Sequence, residues 1–184
     1  MNELEKQLHY PMGDALPANG STLQVAPGIR WVRMALPFAL DHINLWLLRD
    51  HWEGREGWCV VDCCIDREEA RTHWETIFAN ELEGLPVLRV IATHMHPDHI
   101  GLAHWLCERW STPEHTCRLW VSATDYNLAR IGSHMTHGFG GPAAADICRQ
   151  AHHRAAAPGI DIVVAGPSVP AAVTGDVHGA DVHY

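Results

Sequence analysis

One stretch of the chain decides the fold, and it reads Thr93-His94-Met95-His96-Pro97-Asp98-His99-Ile100-Gly101. It holds three imidazoles and one carboxylate within six positions, directly after the apolar run 87–92, which predicts a buried strand. Side chains two positions apart on an extended chain point to the same side, so His94 and His96 can reach one ion while Met95 faces the core. The stretch therefore predicts a metal site where a strand ends.

Pro97 changes the direction of the chain inside this stretch. It disfavours helical dihedrals at His96 and suits the first turn of a helix itself, so Asp98 and His99 can face a second ion beside the first. Imidazole nitrogen and carboxylate oxygen are ligands that zinc accepts at catalytic sites, and iron or manganese accepts them too. We therefore predict that His94, His96, Asp98 and His99 bind one or two zinc ions, with iron or manganese as alternatives.

The string from His94 to Gly101, placed after a hydrophobic strand, resembles the signature of the metallo-β-lactamase superfamily. The resemblance implies an α/β fold, a four-layer αβ/βα sandwich with one or two metals at the sheet edge. It also implies a metal-dependent hydrolase in which a metal-bound hydroxide cleaves an ester-, thioester-, lactone- or amide-type bond, with Asp98 orienting the nucleophile or receiving its proton. The superfamily includes iron-containing oxidoreductases, which remain an alternative, and the resemblance does not fix a substrate.

The domain organisation follows from length and composition. A chain of 184 residues suits one domain with a real core. Residues 1–21 are predicted to be an irregular leader. Residues 22–137 are predicted to form a metallo-β-lactamase-like domain, which is the N-terminal half of the fold and contains the stretch 93–101, called the metal loop below. Residues 138–184 lack lysine, glutamate and tryptophan and form an atypical tail rich in Ala, Gly, Pro and His. The C-terminal half of the fold is therefore expected to be incomplete or irregular.

Periodicity and turn residues predict the elements of the domain. Strands are expected over 22–25, 29–34, 42–48, 58–64, 87–92 and 119–121, with a hairpin loop over 51–57. A helix that Asp66 caps should bury one face, which carries Ala70, Trp74, Ile77 and Phe78. Further helices are expected over 100–110, where His104 packs or faces solvent, and over 124–131. The order strand, helix, strand around the metal loop predicts a βαβ unit.

Asp62 ends the strand that precedes the first helix. In the family that this chain resembles, the corresponding strand commonly ends Asp-Thr-Gly, and its aspartate orients the metal-binding histidines from behind. Asp62 matches that aspartate, while Cys63 and Cys64 replace the threonine and the glycine, which leaves the loop geometry open. The alternative, that Asp62 only caps the following turn, stays open as well.

The family needs a third histidine for the first ion, an aspartate that bridges both ions and a late histidine for the second. In this chain those ligands must come from the tail or are missing. The candidates are His152 or His153, followed later by Asp176. The family's usual wording around these residues is absent. The sequence therefore favours a terminal segment with incidental histidines, as in a truncated or frame-shifted copy that survives as a non-catalytic remnant.

The charge pattern argues against a nucleic-acid partner. The formal net charge is −9, and one lysine and twelve scattered arginines form no basic stripe that could bind phosphates. No window approaches the roughly 18 to 20 apolar residues that cross a bilayer, so no membrane partner is expected. We expect a small-molecule substrate. A half-domain with exposed sheet surface would also favour a homo-oligomer.

The cysteines and the N-terminus indicate a reduced, cytoplasmic chain. The six cysteines lack C-x-x-C spacing, and acidic residues stand where an export signal needs a basic start. Most of the thiols are expected to be small buried hydrophobes. Cys63 is an additional candidate for the rim of the metal site.

Overall fold

The computed structural model of the chain describes residue 4 and residues 7–134, 162–165, 176–177 and 180–183, with side chains described as far as Gly132. His152 and His153, the candidate ligands of the tail, lie outside the described residues. Within the described part of the chain, no helix is both long and apolar enough to cross a membrane.

The described residues form one mixed sheet with helices between its parallel strands. The elements are β1 (Leu23–Ala26), β2 (Ile29–Ala35), β3 (His42–Trp52), β4 (Arg55–Val61), α1 (Glu68–Asn80), β5 (Val87–Ile91), α2 (Pro97–Ile100), α3 (Ala103–Trp110), β6 (Arg118–Ser122), α4 (Ala123–His134), β7 (Ile162–Ala165), β8 (Asp176–Val177) and β9 (Ala180–His183). The strand order is β1-β2-β3-β4-β5-β6-β7-β9-β8. Strands β1 to β4 pair antiparallel, and β4 to β7 pair parallel. The α/β fold class predicted from the sequence is confirmed.

The βαβ unit around α1 is as predicted, because β4 and β5 are parallel neighbours. The helix buries Ala70, Trp74, Ile77 and Phe78, the four residues that the 3.6-residue period places on one face. Trp74 is fully buried and stacks on Phe78 with ring centroids 5.5 Å apart. Together with α3, which contacts β5 and β6, this helix closes the core above the strands that position the metal loop.

The hairpin between β3 and β4 is tighter than the sequence suggests. The predicted loop over 51–57 is wrong, since β3 continues to Trp52 and β4 begins at Arg55. Only Glu53 and Gly54 form the turn, and both have positive φ, at 51° and 76°. A two-residue turn with left-handed dihedrals matches the twist of an antiparallel pair, so the charged residues around it are accommodated as exposed strand positions.

Two helix boundaries also differ from the prediction. Helix α1 begins at Glu68, and Asp66 does not cap it; its carboxylate instead pairs with Arg71 at 2.8 Å. The helix expected over 100–110 begins three residues later, at Ala103, and ends at Trp110 as predicted; a separate short helix, α2, precedes it. Leu102 has ψ near 6°, and its N–H donates to the Cys64 carbonyl, which draws the backbone out of the helical path.

The loop from Asp62 to Asp66 fits closely against the metal loop. Asp62 and Cys64 both have left-handed φ, at 60° and 71°, so the cysteine adopts the conformation for which the family's glycine is suited. The Cys63 N–H donates to the His99 carbonyl at 2.9 Å. Gly101 lies so near this loop that an added Cβ would stand 2.9 Å from the Cys64 oxygen and 3.0 Å from the Asp66 nitrogen. The same Cβ would stand 2.4 Å from the Pro97 oxygen of α2. The two loops therefore form one packed unit.

Replacing Gly101 by Ala should destabilise this unit. The new methyl group meets backbone oxygens rather than flexible side chains, so the backbone must shift, and we expect the free energy of unfolding to fall by about 1–3 kcal/mol. Urea denaturation followed by tryptophan fluorescence measures the change. Thr116→Ala, at an exposed loop position, is the control and should stay within about 0.5 kcal/mol of the unmodified chain. Equal stability of the two variants would contradict the packing argument.

Candidate metal centre

The four predicted ligand residues converge where β5 ends. Nε2 of His94 lies 2.9 Å from Nδ1 of His96, and the ring centroids of His94 and His99 are 3.8 Å apart. Nε2 of His99 lies 3.5 Å from a carboxylate oxygen of Asp98. All four residues are half-buried, and Met95 packs against the core as predicted. The proline bend therefore brings both pairs of side chains to one place.

Asp62 is the partner of the site and not a turn cap. Its side chain is buried, and Oδ2 lies 2.8 Å from Nδ1 of His99. The other oxygen accepts the backbone N–H of Thr93 at 2.8 Å. A carboxylate on the outer nitrogen of an imidazole fixes the ring and directs its second nitrogen toward an ion. Of the two roles left open by the sequence, the geometry matches orientation of a ligand histidine.

The hydroxyl of Thr93 links Asp62 to His94, a role that the sequence analysis did not assign. It lies 2.8 Å from Oδ2 of Asp62 and 3.0 Å from Nδ1 of His94. Because a carboxylate only accepts, the hydroxyl donates its proton to Asp62 and accepts from the Nδ1–H of His94. Nε2 of His94 then carries a lone pair toward His96. The signal was a hydroxyl residue directly before the first histidine, but its partner is fixed only by the fold.

The surroundings shift the pKa values of His94 and His99 in opposite directions. Burial lowers the pKa of His94, and the neighbouring rings of His99 and His96 lower it further. Burial also acts to lower the pKa of His99, but the hydrogen bond and charge of Asp62, with the charge of Asp98, outweigh it, so that pKa is raised. The environment of His94 therefore favours its neutral form, the form that binds a metal.

The donor set suits a metal ion, although the rings now contact one another. Among the described residues, no three His, Cys, Asp or Glu side chains are spaced to hold an ion as they stand. The nitrogens of His94 and His96 are 2.9 Å apart, a hydrogen-bond distance. Two nitrogens on one tetrahedral zinc ion stand about 3.3 Å apart, so this pair would have to separate by a few tenths of an ångström to hold one. The residues fit the group.

Cys63 does not lie at the rim of the site, so that prediction was wrong. Its side chain is fully buried, and Sγ lies 2.9 Å from the carbonyl oxygen of His99. Burial raises the pKa of this thiol well above its ordinary value. Cys63 supports the backbone of the metal loop from the core side. His104 lies on α3 with Nδ1 3.7 Å from Glu108, as expected of a packing or surface residue.

Asp176, the candidate bridging ligand, begins β8 at the edge of the sheet. Three strands, β6, β7 and β9, separate β8 from β5 in the strand order. The side chain of Asp176 lies outside the described part of the structure, as do His152 and His153. These three assignments stay predictions.

Three buried thiols, of Cys59 in β4 and of Cys63 and Cys64 in the loop after it, should resist alkylation in the folded chain. Burial raises the pKa of Cys59 and Cys64 to about 12 and that of Cys63 well above its usual range, so only about one thiol in ten thousand is ionised at pH 8 for the first two. Iodoacetamide at that pH, followed by peptide mass spectrometry, should find all three unmodified in native protein and modified in urea. Native labelling of Cys63 at the rate of a free thiol would contradict its placement.

The comparisons with known proteins agree on one family. The sequence model of the metallo-beta-lactamase superfamily matches residues 39–183, which is most of the chain. A beta-lactamase domain protein from Burkholderia ambifaria is 53% identical, with a TM-score of 0.67, and the match covers 76% of this chain and 43% of that protein. None of the curated proteins compared with the chain matches it.

Two further solved structures match at low identity. A metallo-beta-lactamase family protein from Thermus thermophilus is 21% identical, with a TM-score of 0.45 and coverage of 68% of this chain and 43% of its own. A metallo-beta-lactamase from Pontibacter korlensis is 17% identical, with a TM-score of 0.47 and coverage of 61% and 48%. The chain thus spans less than half the length of these structures. On the family match over residues 39–183, the chain belongs to the metallo-beta-lactamase superfamily.

Proposed function

We propose that the chain is a metal-dependent hydrolase that cleaves an ester-, thioester-, lactone- or amide-type bond in a small molecule. The observation that carries this proposal is the convergence of His94, His96, Asp98 and His99 at the end of β5, with the outer nitrogens of two rings held by Asp62 and Thr93. Nitrogen and oxygen donors in this ratio suit zinc, and also iron or manganese. Membership of the superfamily supports the same chemistry.

The residues divide into two pairs around the centre. Nε2 of His94 and Nδ1 of His96 face each other and would hold the first ion, while Asp98 and Nε2 of His99 would hold a second. A bound zinc ion lowers the pKa of a water molecule toward neutrality and polarises the bond to be cleaved. The Asp98 side chain is about one-fifth exposed, so its carboxylate can also meet an incoming water and accept its proton.

The composition supports a small, non-nucleic substrate and a reducing compartment. A net charge of −9 disfavours approach of polyphosphate, although the metal itself would attract a single anionic group. The five cysteines in the described part of the chain are all free and buried, as expected of a protein of the cytoplasm.

Replacing His96 by Ala tests the proposal. We expect the unmodified chain to bind one or two ions and to hydrolyse a generic thioester or lactone. Loss of a residue that hydrogen-bonds to a metal ligand lowers metal affinity or activity roughly 10- to 100-fold. The His96 variant should lose more than this, because it lacks a ligand itself. Elemental analysis of protein purified without added metal, and hydrolysis before and after chelation, are the measurements. His104→Ala, at a histidine on α3 outside the cluster, is the matched control.

The outcomes separate the alternatives drawn from the sequence. Zinc with turnover supports the hydrolase, iron with redox activity supports an oxidoreductase, and loosely held metal without turnover supports a non-catalytic remnant. Metal content and turnover that are unchanged in the His96 variant would refute the assigned site.

Asp62→Asn should weaken metal binding without removing a ligand. An amide carries no charge to hold the Nδ1–H of His99, and it cannot accept at both of its ends as the carboxylate does. We expect the dissociation constant for zinc to rise about 10- to 100-fold, as measured by competition with a chromophoric chelator. Asp41→Asn makes the same chemical change at an exposed position and should leave the constant unchanged. Equal affinities of the two variants would contradict the role of Asp62.

A further inference from the structure

We propose that Asp125, near the start of α4, is a positioning residue that fixes the spacing of His94 and His96, an inference that rests on the proposed function. Its Oδ1 accepts the backbone N–H of Met95 at 3.2 Å. Met95 is the residue between the two histidines whose ring nitrogens face each other. The contact therefore holds the metal loop at the point that sets the distance between its first two ligands.

The Asp125 carboxylate also takes part in the start of α4. The Ser122 hydroxyl donates to Oδ2 of Asp125 at 2.5 Å, and the Asp125 backbone N–H donates to Oγ of Ser122 at 3.0 Å. This reciprocal pair resembles a capping box, in which a side chain three positions into the helix returns to the capping residue. Here one carboxylate oxygen completes the cap, and the other is left to reach the loop. The side chain thus has two partners with separate roles.

The anchor comes from the neighbouring parallel strand. β6 pairs with β5 in the register Ile91 to Trp120, and the Ala92 N–H extends this pairing to the Trp120 carbonyl. Beyond Ala92 the metal loop no longer pairs with β6, and the hydrogen bond from Met95 joins it instead to Asp125 in α4, the helix that follows β6. It acts on the backbone between two ligands, whereas Asp62 and Thr93 act on ring nitrogens of His94 and His99. The two carboxylates thus contact different residues of the loop, Asp62 at Thr93 and His99 and Asp125 at Met95.

Three variants separate loop positioning from helix capping. Asp125→Ala removes both bonds, Ser122→Ala removes the cap and keeps the Met95 contact, and Asp125→Asn keeps an oxygen that can accept the Met95 N–H. With zinc alone as the probe, we expect the dissociation constant to rise about 10-fold in Asp125→Ala, the lower end of the range for outer partners of metal ligands. It should stay within about twofold in Ser122→Ala, and Asp125→Asn should recover most of the affinity.

The full chain is used throughout, and binding is measured by chelator competition and by the visible absorption spectrum of the cobalt(II) form. A loss in Ser122→Ala equal to that in Asp125→Ala would overturn the proposal, because capping alone would then account for the effect. An unchanged constant in Asp125→Ala would overturn it as well.

Hydrogen exchange at the Met95 amide distinguishes failure of this proposal from failure of the proposed function. In metal-free protein, exchange should be at least about 10-fold faster in Asp125→Ala than in Ser122→Ala, because only the first variant loses the acceptor. If the unmodified chain binds no zinc, the proposed function fails, and this exchange rate still decides the role of Asp125. Equal rates in the two variants would refute it.

Discussion

The buried carboxylate of Asp62 is the interaction on which the metal loop depends. A charged group that is removed from water needs hydrogen bonds, and this one receives them from the Thr93 N–H, the Thr93 hydroxyl and the Nδ1 of His99. All of these donors belong to the loop that follows β5. The cost of burying the charge is therefore offset only when the loop is folded, which couples the arrangement of the ligands to the stability of the sheet.

Close backbone packing below the loop supplies the second constraint. The left-handed Cys64 presents its carbonyl to Leu102, and Gly101 provides the space for this approach. A cysteine in a conformation that favours glycine has a cost of order 1 kcal/mol, which the surrounding contacts must outweigh. The fully buried thiol of Cys63 then fixes the carbonyl of His99 from the core side. Cys63 and Cys64 thus both take part in packing the metal loop against the core.

Local patterns in the sequence predicted most of the elements and the position of the metal loop. Periodicity identified the buried face of α1, and spacing alone brought His94 and His96 to one side of the chain. The division between α2 and α3 escaped prediction because its cause is a carbonyl 38 positions earlier in the sequence, that of Cys64. Thr93 and Asp125 escaped for the same reason, since their partners are chosen by strand order. Contacts between residues close in sequence can be predicted from the sequence. Hydrogen-bond partners far apart in sequence are identified only once the fold is known.

The hydrogen bond between His94 and His96 has a consequence for how the centre is loaded. The two ring nitrogens lie close together, because the rings form a hydrogen bond with each other. Most of the rotamer freedom of these side chains is therefore lost during folding, so little conformational entropy is left to be lost on binding. Under the proposed function, capture of a cation would replace the proton between these two nitrogens with the metal.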